Sequence, residues 1–212
     1  MSWIKGRVSS LPGPVFAALL AALMVTGYLA PPGPAAAETL FPPDLFGGPF
    51  ELTRGDGETV RDTDFLGSHL LIYFGYTFCP DICPGDLSRL AHALDMLPGE
   101  DATRVSVLFI TVDPDRDTPE IASAYARAFH PEFIGLSGSG RAIAAAVDAF
   151  RVHRVKVAFD GAGADDYLVS HSPSTYLMGP DGGFLTLFPH DTDPERITRV
   201  LRRYLVDPEP GA

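Results

Sequence analysis

Both cysteines of this 212-residue chain stand in one short segment, Cys79-Pro80-Asp81-Ile82-Cys83-Pro84. Thiols spaced i, i+4 fall on one face of the chain. At that spacing the Cα atoms can lie within the ~4.4–6.8 Å that a disulfide spans, and two thiolates can equally converge on one soft metal ion. A purely structural disulfide is a weak reading, because closing so short a loop stabilises a fold by only about 1–3 kcal/mol. A peroxidatic cysteine is excluded: in the pattern Pro-x-x-x-Thr-x-x-Cys, counting back from Cys79 finds Tyr76 in place of Thr and Ile72 in place of Pro. The two-residue spacing of a thioredoxin active site is also absent. Four-thiolate zinc binding fails for want of further cysteines. The segment therefore reads as a two-thiolate site that needs a third group.

The elements around the thiols set their environment. His69–Tyr76 (HLLIYFGY) is an almost continuous apolar run, the pattern of a strand buried on both faces. Gly85–Leu97 then carries Leu87, Leu90, Ala91, Leu94 and Leu97 on a helical stripe. The cysteines thus lie in a βα loop, exposed, near a helix N-terminus whose free N–H groups favour a thiolate. A second buried strand is expected at Val105–Val112, followed by a helix over 118–129 with Asp117 or Thr118 as cap and Pro119 in its first turn. A short strand at Phe133–Leu136, a helix over 141–150 and a strand at Val152–Val157 come next, then an exposed Gly161–Asp166 loop. Ser174–Met178 and Phe184–Phe188 flank an Asp181-Gly182 turn as a hairpin, and a helix over 194–205 closes the chain. Short strands at Phe50–Thr53 and around Val60 precede all of this. The βαβα alternation followed by ββα is that of an α/β thioredoxin-like fold, a central mixed sheet flanked by helices, with extra N-terminal strands.

In order and spacing, four segments resemble the Sco/SenC family: Gly75-Tyr76-Thr77-Phe78-Cys79-Pro80-Asp81-Ile82-Cys83-Pro84, Thr111-Val112-Asp113-Pro114-Asp115-Arg116-Asp117-Thr118-Pro119, Phe133-Ile134-Gly135-Leu136, and His171-Ser172-Pro173-Ser174-Thr175-Tyr176-Leu177 with Pro180-Asp181-Gly182. The resemblance covers about residues 50–205. It implies a thioredoxin-fold protein that helps build the binuclear copper site of cytochrome c oxidase, with copper held by Cys79, Cys83 and His171. Two thiolates suit Cu(I), and an added imidazole lets the site hold Cu(II) as well. His171 is expected in the loop before the strand at 174–178, facing the cysteine loop. His69, His92, His130, His153 and His190 read as hydrogen-bonded or surface histidines. The family carries Asp immediately before the ligand histidine, whereas Ser170 stands here, which bears on metal affinity and redox poise rather than on the ligand set. Asp165 or Asp166 is the expected substitute. Pro173, just before a strand, is the expected site of a cis peptide bond facing the thiols.

The implied function is copper delivery to cytochrome c oxidase subunit II, with an upstream copper donor and a thiol reductant as further partners. The alternatives are an exported thiol-disulfide reductase, with Cys79 and Cys83 as its catalytic pair, and a redox or copper sensor. Other motifs fail on inspection. Asp113-Pro114-Asp115-Arg116-Asp117 has the acid spacing of a calcium loop, but Thr118 and Ala124 stand where Gly and Glu are required. Gly138-Ser139-Gly140 before a helix lacks the third glycine of a dinucleotide fingerprint, Ile143 standing there.

Sixteen Lys and Arg against 27 Asp and Glu give a net charge of -11, which argues against a nucleic-acid partner. Residues 1–37 hold Lys5 and Arg7 and no acid, so the remainder carries -13. This N-terminus, with an apolar stretch at Val15–Ala30 and an Ala35-Ala36-Ala37 end, reads as a cleaved signal peptide or an uncleaved inner-membrane anchor. The expected organisation is therefore an export segment (1–37), a linker (38–49), a copper-binding domain (50–206) and a tail (207–212). The expected location is the periplasmic side of the inner membrane, anchored or released.

Overall fold

In a computed structural model, which describes residues 42–158, 161, 163 and 166–206, β3 (His69–Gly75) is buried along its whole length, as its uninterrupted apolar run requires. Before it, β1 (Glu51–Arg54) and β2 (Thr59–Arg61) form a hairpin, and a 3-10 turn spans Asp62–Phe65. After β3 come α1 (Ile82–Asp95), a single helical turn at Gly99–Ala102, β4 (Val105–Thr111), α2 (Pro119–Phe129), β5 (Ile134–Ser137) and α3 (Gly140–Ala149). The chain continues through β6 (Arg154–Ala158), β7 (Tyr167–His171), β8 (Thr175–Met178), β9 (Phe184–Phe188) and α4 (Pro194–Val206). The segment expected to direct export (1–37), the start of the expected linker and the tail beyond 206 lie outside the described residues. Among the described residues no helix is long and apolar enough to cross a membrane.

Seven strands form one mixed sheet in the order β2-β1-β5-β4-β3-β8-β9. β3, β4 and β5 run parallel, while β8 joins β3 antiparallel with Tyr73 opposite Thr175. This register brings the start of β8 alongside the carboxyl end of β3, where the cysteine segment begins. The core is built from the central strands: Leu71, Ile72, Phe74, Leu108, Phe109 and Ile110 have essentially no exposed surface. Thr118 caps α2 by accepting a hydrogen bond from the Ile121 amide, and Pro119 occupies the first turn, where its missing N–H is harmless. The β8–β9 turn has Gly182 at φ 81° and the Asp181 carboxylate accepting from the Gly183 amide.

Three expectations need correction. The segment before β8 is no plain loop: Tyr167–His171 is a strand pairing antiparallel with β6 as a separate two-stranded sheet, with His171 its last residue. Among the described residues no peptide bond is cis, so Pro173 is trans. Helix α1 begins at Ile82, earlier than its apolar stripe suggests, which places Cys83 within its first turn. Pro84 is tolerated there because a first-turn N–H has no intrahelical acceptor.

Candidate metal centre

Cys79 sits half-buried in the loop after β3, and Cys83 is fully buried in the first turn of α1, not exposed as its loop position in the sequence implied. Space for the Cys83 sulfur comes from Gly75. A Cβ built there would stand 3.1 Å from Cys83 Sγ, 2.9 Å from Tyr73 Cε1 and 3.0 Å from Phe109 Cε2. His171 arrives from β7, with its ring packed edge-on against Tyr76 and Tyr73 at centroid distances of 5.9 and 6.3 Å. The ligand atoms of Cys79, Cys83 and His171 all lie within 4.8 Å of one another, forming the one such group of three or more among the described residues.

Protons in this group are placed by hydrogen bonding. Cys79 Sγ accepts the Cys83 backbone N–H at 3.3 Å. The Cys83 thiol, the His171 ring and the Cys83 and Asp81 amides all favour the Cys79 thiolate, holding its pKa well below the ordinary thiol range against the cost of burial. Cys83 moves the other way: it shares its proton with the neighbouring thiolate and lies in apolar surroundings, so its pKa is pushed up. The pair thus holds one proton, which a metal bound by both sulfurs would displace. His171 Nδ1 lies 3.2 Å from the Ser172 carbonyl oxygen, which can only accept, so this hydrogen bond is donated by Nδ1–H. The other ring nitrogen, Nε2, faces Cys83 Sγ at 3.4 Å. Two thiolates and an oriented imidazole suit copper in either valence.

Ser172 therefore does the orienting expected of an acid. Asp166 is exposed and accepts from the Gly163 amide in its own turn, while Asp165 lies outside the described residues. Ser170, where the family carries Asp, is exposed and paired with Val155. The other histidines stand outside this group. His69 is buried with its pKa lowered by desolvation and by Arg104. His130 faces Asp95, and His190 Nδ1 contacts Asp86 at 3.0 Å.

Sequence reading did not assign the polar network beneath the site. The fully buried Asp117 carboxylate accepts from the Thr77 amide (3.0 Å), the Thr77 hydroxyl (2.5 Å) and the Thr111 hydroxyl (2.6 Å). Its backbone carbonyl accepts from Ser137 Oγ at 2.5 Å. The equally buried Asp113 accepts from Arg116 Nε at 2.6 Å and from the Tyr167 hydroxyl at 2.7 Å. The available signal was the density of acids in Asp113–Asp117, which reads as turn chemistry until the fold shows what surrounds it. Above the network, a cup of about 370 Å³ beside Cys79 and His171 is walled by Tyr76, Ile82, Val157 and Leu168.

A sheet of this topology, with a half-exposed thiolate at the carboxyl end of a central strand and a second thiol one helical turn on, defines a thioredoxin-like protein whose dithiol is completed by histidine. The SCO1/SenC family profile matches residues 39–206, and the chain belongs to that family. It is 38% identical over 176 residues to "Protein SCO1 homolog 1, mitochondrial" of Arabidopsis thaliana, covering 81% of this chain and 50% of that protein. It is 42% identical over 161 residues to "Protein SenC" of Rhodobacter capsulatus, covering 75% of this chain and 70% of that one. The chain thus spans half the length of the first of these relatives. The structure of Bradyrhizobium japonicum ScoI with copper bound superposes with a TM-score of 0.68 at 40% identity, over 75% of this chain and 99% of that one.

Proposed function

We propose that this protein binds one copper ion through Cys79, Cys83 and His171 and delivers it to cytochrome c oxidase subunit II during oxidase assembly. The observation that carries this reading is the convergence of two sulfurs and an imidazole nitrogen within 4.8 Å beside an open cup. Partial exposure suits a carrier, since transfer by ligand exchange needs an incoming donor to reach the metal. The copper-bound structure of a 40%-identical relative supports the choice of metal. The basic, acid-free N-terminus followed by an apolar stretch supports delivery on the periplasmic side of the inner membrane, from an anchored or a released protein. An upstream copper donor loads the site, and a thiol reductant keeps the sulfurs open.

Anaerobic Cu(I) and Cu(II) titrations of the wild type and of His171→Ala test the assignment. The wild type should take up one equivalent of either ion tightly. His171→Ala should keep most of its Cu(I) affinity and lose the Cu(II) spectrum. Uptake well below one equivalent, or an unaltered Cu(II) spectrum in the variant, would refute the carrier reading.

One observation favours a second reading: the lowered Cys79 pKa beside a protonated Cys83 is the arrangement of an attacking and a resolving thiol. A thiol-disulfide reductase needs no His171, so reduction of an oxidised subunit II fragment by His171→Ala, without copper uptake by the wild type, would promote it.

A further inference from the structure

The two halves of the metal centre come from elements that share no backbone ladder. The thiols follow β3 of the seven-stranded sheet, whereas His171 ends a two-stranded sheet of its own. The place of the imidazole therefore depends on the short connection 172–174 into β8 and on side chains that tie the β6–β7 hairpin to the body. Those ties converge on Arg116, in the turn after β4. Its Nε donates to the fully buried Asp113 carboxylate at 2.6 Å, and its Nη1 donates to the Tyr167 carbonyl at 3.0 Å. Its Cζ lies 3.7 Å from the Tyr167 ring centroid, 4.7 Å from that of Phe78 and 5.9 Å from that of Tyr76. Asp113 closes the cycle by accepting the Tyr167 hydroxyl at 2.7 Å.

One guanidinium thus grips both halves. Phe78 is the residue before Cys79, and Tyr76 packs against the His171 ring. Tyr167 lies on β7 at the same strand phase as Val169 and His171. The Tyr76 side chain also bonds the Val169 backbone, and two further ties are weaker in kind. Arg154 donates a single bond to the Val112 carbonyl, and the Lys156–Asp115 pair is exposed and screened by water. Only a planar fork can stack on a ring while bonding a carboxylate and a carbonyl at once, which a lysine ammonium cannot do.

We infer that Arg116 is a positioning residue that seats His171 against the two cysteines and so sets how strongly the site holds Cu(II) relative to Cu(I). The inference rests on the copper reading above. Two thiolates suffice for Cu(I), whereas Cu(II) draws on the imidazole. A residue that fixes the histidine without being a ligand therefore acts on one valence more than on the other.

The test uses the full chain as wild type, Arg116→Gln, Arg116→Lys and Tyr167→Phe, with circular dichroism to establish that each is folded. Anaerobic competition titrations give both copper affinities, electron paramagnetic resonance gives the imidazole nitrogen coupling of bound Cu(II), and amide exchange reports on residues 167–171 without copper. Arg116→Gln should lower Cu(II) affinity by about tenfold or more, leave Cu(I) affinity within about threefold, weaken the nitrogen coupling and speed hairpin exchange. Arg116→Lys should not rescue it, and Tyr167→Phe should shift Cu(II) affinity the same way by less. In a His171→Ala background, Arg116→Gln should have no further effect on Cu(II). Equal losses in both valences, wild-type behaviour of Arg116→Lys, or persistence of the effect without His171 would overturn the inference. Absence of copper uptake by the wild type would overturn the copper reading and the valence claim with it. Unchanged exchange at 167–171 in Arg116→Gln would separately overturn the seating role.

Discussion

Gly75 shows how tightly the centre is set into its fold. It is the last residue of β3, paired in register with Thr111 of β4, and its missing side chain is what admits the Cys83 sulfur. Tyr73 and Phe109 hem the same space from the other sides, so an added methyl cannot be accommodated by moving one flexible neighbour. Gly75→Ala should therefore cost stability, about 1–3 kcal/mol as for other overpacked cores, and should also displace a ligand. The expected pattern is a lowered urea midpoint together with copper affinity reduced by about tenfold or more, since a shift of a few tenths of an ångström at one sulfur spoils its alignment with the others. If denaturation shows the loss in stability while copper affinity stays at the wild-type value, Gly75 serves packing alone.

Among the elements, the turn between β4 and α2 organises the site although none of its residues is a ligand. Asp117 joins the half-buried cysteine loop through Thr77, and in the interior joins β4 through Thr111 and β5 through Ser137. Replacing it with alanine strands the Thr77 amide and two hydroxyls without an acceptor, at about 1–3 kcal/mol for each group left buried. Asp117→Ala should thus lose several kcal/mol in chemical denaturation, with faster amide exchange at residues 76–79. A loss within about 0.5 kcal/mol, the usual range for surface changes, would mean that water replaces the carboxylate. This network also marks the limit of what the sequence reveals. The buried runs of β3 and β4 are legible because a strand covered on both faces must be apolar throughout, and the capped α2 because Thr118-Pro119 is a local signal. Strand β7 is not legible: its burial alternates, but the outward-facing Leu168 is as apolar as the buried Tyr167 and Val169 beside it, so the sequence shows no polar–apolar alternation there. Cys79 and Cys83 stand out by adjacency. His171, 88 residues from Cys83, could be chosen among six histidines only through the family resemblance, because nothing local distinguishes it. Arg116, Asp113 and Tyr167 come together only when the hairpin folds back over the turn.

Over the whole molecule, the proposed copper delivery gives charge and apolar surface different parts in meeting a partner. The chain beyond residue 37 carries -13, a field that acts at a distance, while the rim of the metal centre is apolar: Phe78 is 62% exposed, and Val157, Ile82 and Leu168 are 43, 39 and 37% exposed. Asp81, between the two cysteines, is exposed and has no ion-pair partner among the described residues. A partner carrying Lys or Arg near its own copper ligands would be drawn in by the field and then held by apolar contact around the cup. The two contributions respond differently to salt, because the Debye length shrinks from ~30 Å at 0.01 M to ~3 Å at 1 M, whereas burial of apolar surface is hardly screened. Association with a subunit II copper-site fragment, followed by stopped-flow, should therefore slow by about tenfold or more between low and high ionic strength. Dissociation should change little over the same range, and Asp81→Asn should flatten the salt dependence of the association rate. An association rate indifferent to salt would show that the acidic surface serves solubility rather than encounter, and a dissociation rate that rises steeply with salt would show that ion pairs, not the apolar rim, hold the complex together.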